Sequence, residues 1–575
     1  MVVTIEEPLT LNVSIQKPGG ESRFKTQPKY IDEWYDNLPR AHLGEFSRAI
    51  RHALLETNRT IVPNKERFYF LQTITQFIDE IINLFQGKYV GISASLSSRN
   101  IQLVKLIREI LKELTIGYKI IVSAVHNQRG LFTNQYLLID SIYYSLLHMH
   151  QTLTNEYLIY TAAPPLLWKE LHVLYCFSRI HNLNDYAVSY PHRGKNKSRT
   201  IDNIYLQTLL LALANPYQLS QEDTLHIKKS LKYWVPFCRL YKPETNGKPV
   251  GLFAVDLKKD DPPCFHGQLD LDSEHFLMLD TSLLTKEIRE ILLSPTEKAG
   301  NSLVTELQDS ISSMSKTTLK RLLLSWGLLS KRQYPRHKTS HTVDVLIGLT
   351  SIHHYITDLA NENKSWQRPA RFVSKLKTPD HVDDKQNNPW DFGLRVQAAV
   401  INDKSTKAEL SEVATASSRL PHYRLNTVNE SAGGYCLLWE QEGDTPLNVG
   451  DLICVVESSD KPQNYTICVI RWMRKKDAVI IVGSEVLTPE AKAVRIQLAP
   501  KNNHTKDFSY ALLLPALKAI NRPDTLITSS FFRKENKVLL HQGNSQKHIH
   551  LSRLMQSNKR FKQFQYETIK PNKER

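Results

Sequence analysis

Long apolar runs are missing from this 575-residue chain. Its longest, such as Leu209 to Ala214 and Val479 to Val482, fall well short of the roughly 18 residues a membrane helix needs. Met1 opens onto Val2, Val3, Glu6, Glu7 and Pro8, with neither the basic region nor the apolar core of a secretory leader, and a cytoplasmic protein is expected. Paired cysteines are absent too. Cys176, Cys238, Cys264, Cys436, Cys454 and Cys468 are widely spaced with no CxxC, which excludes the usual zinc or redox pairs and reads as six reduced thiols. Three of them, Cys436, Cys454 and Cys468, sit in apolar strand-like runs, where free cysteine behaves as a small buried hydrophobe. There is no HExxH, no phosphate-binding GxxxxGK[ST] and no GxSxG elbow, so no enzyme chemistry is indicated and neither a cofactor nor a metal is expected.

The remaining composition is that of a folding chain. Hydrophobic residues make up 41% and charged residues 23%, far from the signature of disorder, and the length suggests about three or four structural units. Net charge is +16, which favours anionic partners such as nucleotides, nucleic acid or an acidic membrane face without choosing among them.

Periodicity orders the chain into α+β segments. Residues 1–28, with Pro8, Pro18, Gly19 and Gly20, read as a flexible leader. Residues 29–245 read as an α-helical domain, most clearly where Leu103, Val104, Ile107, Ile110, Leu111 and Leu114 repeat at helical spacing. Residues 246–327 mix strand-like and helical signals, as a connector or the end of the first domain would. From about 328 the period changes to two, as in Val343, Val345 and Ile347, and short strands follow to about 500, predicting a small antiparallel barrel. A polar excursion at about 359–418 interrupts it. Residues 501–575 return to strands, a β extension that adds to the barrel or packs on it.

Two short elements in the β region carry chemistry. Arg332 and Arg336 stand four apart on an extended hinge, since Pro335 disfavours helix at Tyr334. Guanidinium groups fit phosphate oxygens and the O6/N7 edge of guanine, and they stack on bases. The second element is Asn429-Glu430-Ser431-Ala432-Gly433-Gly434, a polar turn whose glycines permit close backbone approach to a ligand. Taken singly, the first could be a solvated basic hinge and the second an ordinary hairpin turn.

In this order the two elements resemble the PilZ domain, a small bacterial barrel that binds cyclic di-GMP. The resemblance lies in RxxxR (Arg332, Arg336) followed by NxSxxG (Asn429, Ser431, Gly434), with Val469 to Trp472 and Val482 to Glu485 resembling the paired strands that follow. It implies that the hinge arginines grip phosphates and guanines and that Asn429, Ser431 and Gly434 complete the guanine contacts. Residues 337–428 make a longer gap than the family's usual strand pair, so the excursion must loop out of the barrel. The helical region, interrupted barrel and C-terminal β extension also look similar to the FimW-like cyclic-di-GMP effectors linked to type IV pili and surface attachment. The expected function is that of a non-enzymatic effector that couples the second messenger to an unidentified protein partner through its helical domain. Ligand binding would order the hinge and shift the domains. The alternative is an interaction scaffold with a degenerate, non-binding barrel.

Other candidates have plainer readings. His353, His354, His548 and His550 read as neutral surface histidines rather than metal ligands. The basic end carries Phe561, Phe564 and Tyr566 among Lys559, Arg560 and Lys562; the alternation favours one face of a final strand over nucleic-acid stacking.

Overall fold

The computed structural model describes residues 9–18, 25–39, 42–88, 90–91, 98–127, 135–188, 199–242, 253–266, 275–293, 302–327, 335–362, 422–440, 447–457, 464–476, 479–499, 508–516, 523–543 and 545–569. Two compact units emerge, one ending at Leu328 and one beginning at Leu329. Among the described residues no helix is long and apolar enough to cross a membrane.

The first unit opens with eight helices: α1 (Pro28–Asp36), α2 (Leu43–Arg59), α3 (Asn64–Gln86), α4 (Ser98–Asn127), α5 (Gln135–Leu158), α6 (Leu167–Ile180), α7 (Ile201–Leu213) and α8 (Gln221–Trp234). Helix α5 is buried almost all round, as the central member of a bundle must be. Several of its buried polar side chains are paired across the bundle. Glu156 takes two bonds from Arg108, at 2.6 and 2.7 Å, Asn155 accepts from Gln86 at 2.8 Å, and Gln151 donates to Asp79 at 2.7 Å. Burial holds His148 down to about 4, so it packs as a neutral ring.

One sequence expectation needs correction here. Residues 9–18, read as part of a flexible leader, pack onto the bundle: Leu11 is in its core, and the Lys17 backbone bonds Arg59 and Ile61. The fully buried Arg67 fixes this corner by donating to the carbonyls of Thr57 and Thr60, both at 2.8 Å, and to Gln16. Those carbonyls belong to the end of α2, where unpaired acceptors need donors. The stretch 246–327, read as mixed, lies within the first unit. Strands β1 (Arg239–Tyr241), β2 (Phe253–Asp256), β3 (Cys264–Phe265) and β4 (Phe276–Asp280) form a sheet in the order β1-β4-β2-β3. Helices α9 (Ser282–Leu293), α10 (Ser302–Ser312) and α11 (Lys316–Gly327) follow. Asp260, between β2 and β3, accepts from the N–H groups of Leu166 and Lys169 and so caps α6. Trp326 of α11 packs edge-on against Trp234 and donates to the Leu210 carbonyl.

The second unit holds two β structures. The first comprises β5 (His337–Lys338), β6 (Thr342–Ile347), β7 (His422–Ser431), β8 (Gly434–Trp439), β9 (Leu452–Glu457), β10 (Tyr465–Lys476) and β11 (Val479–Thr488). Their order is β5-β7-β6-β9-β10-β11-β8, and β7 also pairs with β8, so six strands run full circle with β5 as an extra edge on β7. The second is a closed barrel, β12-β13-β14-β17-β16-β15, built from β12 (Lys492–Leu498), β13 (Ser509–Leu514), β14 (Thr525–Ser529), β15 (Lys537–Gln542), β16 (Ser545–Ser557) and β17 (Phe561–Thr568). Strand β12 pairs with β13 and β15, not with the first ring as the sequence suggests. The C-terminal β segment is thus a barrel in its own right. Phe561 and Phe564 are buried in it, which gives the aromatics of the basic end a structural role; residues 570–575 lie outside the described residues.

Helix α12 (Leu349–Glu362) wedges between the two β structures. Its Ile352 and Ile356 join one apolar cluster with Leu452 and Cys454 of the ring and Leu512 and Leu514 of the barrel. His353, expected at the surface, is buried here instead, its Nε2 3.1 Å from the Val494 carbonyl oxygen. It lies on the wedge's packed face. His354 meets Tyr510 edge-on, while His548 is exposed and His550 meets Glu535 at 2.7 Å. Among the described residues no cluster could hold a metal ion. The polar excursion read at about 359–418 starts in the last turn of α12, and residues 363–421 lie outside the described residues; the strands before α12 and after that stretch, β6 and β7, pair antiparallel, Val343 opposite Leu425.

A second junction joins ring to barrel. Asn558 donates to the Gly450 carbonyl at 2.7 Å, and Arg560 lies 3.2 Å from the Asp451 carboxylate, which also accepts from the Asn448 N–H. Burial outweighs these partners and pushes Asp451 up to about 6. Because that exceeds the unfolded value of about 3.9, the folded state holds the proton longer. Stability from this group is greatest below about pH 4 and is lost as pH rises through about 6. Arg560 is half exposed and stays hydrated when its partner is neutral. Asp451→Asn is therefore expected to gain about 2 kcal/mol at pH 7 and almost nothing at pH 4. Melting curves of both proteins across that range would check it; a constant difference would refute the assignment.

Candidate functional site

Two strands separated by the excursion are brought side by side by β7, which pairs with β5 through His337↔Glu430 and Lys338↔Asn429. Continuing that register by one residue sets Arg336 level with Ser431. On the other side of β7, Ser431 pairs with Gly434 of β8 and Asn429 with Cys436. Strand β8 in turn pairs Gly434 with Glu485 and Cys436 with Gly483 of β11, and Gly483 pairs with Trp472 of β10. Directly opposed residues of an antiparallel ladder share a face. Two parallel rows result: Arg336, Ser431, Gly434, Glu485, and beside it Lys338, Asn429, Cys436, Gly483, Trp472.

The floor of this surface is bare backbone. A Cβ on Gly434 would lie 1.9 Å from the Ser484 carbonyl oxygen, and one on Gly483 would lie 1.9 Å from Trp472 Nε1, so only glycine lets the strands and the indole approach this closely. The corner is tied down from within. Ser431 donates to the Gly434 carbonyl at 3.4 Å, and the Val486 N–H donates to the Gly433 carbonyl at 2.9 Å. Burial raises the Cys436 thiol to about 11 even though the Arg336 charge acts to lower it. A cation beside a polar turn suits an anionic, flat ligand.

Of the sequence candidates, Arg336, Asn429, Ser431 and Gly434 are brought together; Arg332 lies outside the described residues. The paired strands named from sequence do pair, Val469 opposite Glu485 and Ile470 opposite Ser484. Sequence reading does not single out Lys338, Cys436, Arg471, Trp472, Gly483 or Glu485 as part of the surface. Their strands are visible in it, but the register that puts them beside the corner is not. A separate cavity of about 310 Å³, lined by Lys492, Leu513, Pro515, Ala516, Asp524 and Tyr566, sits in the other barrel.

Comparison with known proteins covers almost the whole chain. The family model described as "Cyclic-di-GMP receptor FimW, N-terminal domain" matches residues 29–244, that of the "middle PilZ domain" matches 252–493, and that of the "FimW C-terminal beta-barrel domain" matches 494–569. The chain belongs to the FimW family. It is 26% identical to the cyclic-di-GMP receptor FimW of Pseudomonas aeruginosa strain PAO1, over 98% of this chain and 94% of that one. No solved structure matches. The FimW PilZ match begins at residue 252, inside the first compact unit, whereas the strands that build the corner begin at His337. The FimW C-terminal match begins at Val494, in β12, where the pairing passes from ring to closed barrel.

Proposed function

We propose that this protein binds cyclic di-GMP at the β5–β7–β8 corner and acts as a second-messenger effector without making or breaking bonds. The observation that carries the reading is the register that sets Arg336 level with Ser431 and Gly434 above a glycine floor, in a chain matched throughout by the domains of a cyclic-di-GMP receptor. Arg336, with Arg332 on the same hinge, grips the phosphodiesters and guanines; Asn429 and Ser431 bond the base edge; Gly434 leaves room for it. Ligand held this way clamps the hinge segment to the ring. The helical unit carries the signal to a protein partner, in the cytoplasm, in control of pili or surface attachment.

Thermal melting of the full chain with and without the ligand tests this. A ligand that binds only the folded state raises Tm, and saturation at about a hundred times Kd adds about 2.7 kcal/mol. An upward shift of several degrees with cyclic di-GMP, absent with GMP, is expected. No shift at saturating ligand would leave the scaffold reading in its place.

A further inference from the structure

One arginine, bonded to the row that holds Gly434, is held from two sides. Arg471 of β10 sits at a register shift between Ile470 and Trp472, and such bulges re-aim a side chain out of the ladder. Its Nε lies 2.5 Å from Glu485 Oε2, and Glu485 stands directly opposite Gly434 of the corner. Its Nη2 donates to Gln556 Oε1 at 3.2 Å. Gln556 belongs to β16 of the closed barrel, itself at a register shift between Leu554 and Gln556. Two bulges, one from each β structure, thus meet at a single guanidinium.

Resting on the cyclic-di-GMP reading of the corner, we infer that Arg471 is a further phosphate-contacting arginine of this site and that Gln556, from the closed barrel, is the residue that positions it. The guanidinium has five N–H donors in a rigid fork, and Glu485 and Gln556 occupy only part of it. Glu485, to which the fork is bonded, shares the row of Gly434 and Ser431. Orienting the fork before the ligand arrives removes an ordering cost at binding. Glu485 keeps the charge in place, and Gln556 sets its angle without adding a negative charge that would repel a phosphodiester. The closed barrel is then a working part of the receptor, because it contributes a residue to the aim of the site.

Calorimetry of the full chain with cyclic di-GMP tests the idea. Arg471→Ala is expected to weaken binding at least about tenfold, the loss of a charge-assisted hydrogen bond. Arg471→Lys should not restore it, since an ammonium cannot hold both partners and the phosphate in a plane. Gln556→Ala should weaken binding several-fold, Gln556→Glu should retain the aim but bind more weakly because of its charge, and Gln556→Ala should have no further effect once Arg471 is alanine. That last non-additivity separates positioning from general loss of stability. Wild-type affinity in Arg471→Ala, while Arg336→Ala binds poorly, would overturn this inference and leave the function standing. Wild-type affinity in both would overturn the function as well. Should Arg471→Ala fail to fold, wild-type affinity in Gln556→Ala overturns the inference by itself.

Discussion

Arg336→Ala is expected to reduce cyclic-di-GMP affinity by about 30-fold to several thousand-fold, the equivalent of the roughly 2–5 kcal/mol lost when one partner of a buried charge pair is removed. The expectation starts from position. Arg336 precedes the short edge strand β5, which adds to the ring through β7 alone, and belongs to none of the apolar clusters, so its truncation removes a charge and only the packing of one half-buried side chain at the ring's edge. The fold should survive with little change in Tm. Its guanidinium charge nevertheless reaches Cys436 on the neighbouring row of the corner. Arg336→Lys should recover only part of the loss, because an ammonium lacks the planar fork that meets phosphate or the guanine edge in two bonds. Binding by the native chain should also weaken with added salt, and less steeply in the alanine variant. Calorimetry at two salt concentrations reads both effects. Unchanged affinity in an Arg332→Ala, Arg336→Ala double variant would reject the site.

The corner can be found in the sequence because its two elements use residue types with few other reasons to occur in that order: paired arginines on an extended hinge, then a short polar turn ending in glycine. Local period also gives most elements, including Val343 and Val345 as the buried side of a strand. Partner choice is not local. The alternation of Lys492–Leu498 marks a strand but says nothing of which strands flank it, and only the pairings with β13 and β15 place it in the closed barrel. At the crossover the Tyr465 hydroxyl donates to the Ala491 carbonyl at 2.7 Å and accepts from the Ala491 N–H at 3.4 Å. The burial of His353 is hidden for a similar reason, since a histidine pair in a helical run is apolar-facing or exposed according to what packs on it. Here that is β12 and β13 of the barrel. Arg471 is no more legible, because its neighbours are an acid from its own sheet and an amide 85 residues away.

Gly434→Ala should remove ligand binding and cost stability together, whereas a glycine replaced elsewhere in the same unit should cost stability alone. The new methyl carbon would stand 1.9 Å from the Ser484 carbonyl oxygen, and the obstacle is backbone, which cannot rotate away as a side chain could. Strands β8 and β11 would have to part where Gly434 faces Glu485. Overpacking of this kind costs about 1–3 kcal/mol, which in a unit of this size lowers Tm by several degrees. The same separation displaces Ser431, the pairing partner of Gly434 on β7, and tilts Glu485, so both neighbours of Gly434 in the row move by more than the few tenths of an ångström a hydrogen bond tolerates. A loss of affinity of at least tenfold is expected on this ground, at about 1.4 kcal/mol per decade. Gly543 provides the contrast. It turns between β15 and β16 with φ +56°, and a Cβ there would meet nothing within 4 Å, so Gly543→Ala incurs only left-handed backbone strain of about 1–2 kcal/mol. Its Tm should fall by a comparable amount while its affinity for cyclic di-GMP stays that of the native chain. Melting and calorimetry on the two variants side by side would expose an error at once: equal losses of affinity would mean that binding follows stability, and the glycine floor would have no part in the site.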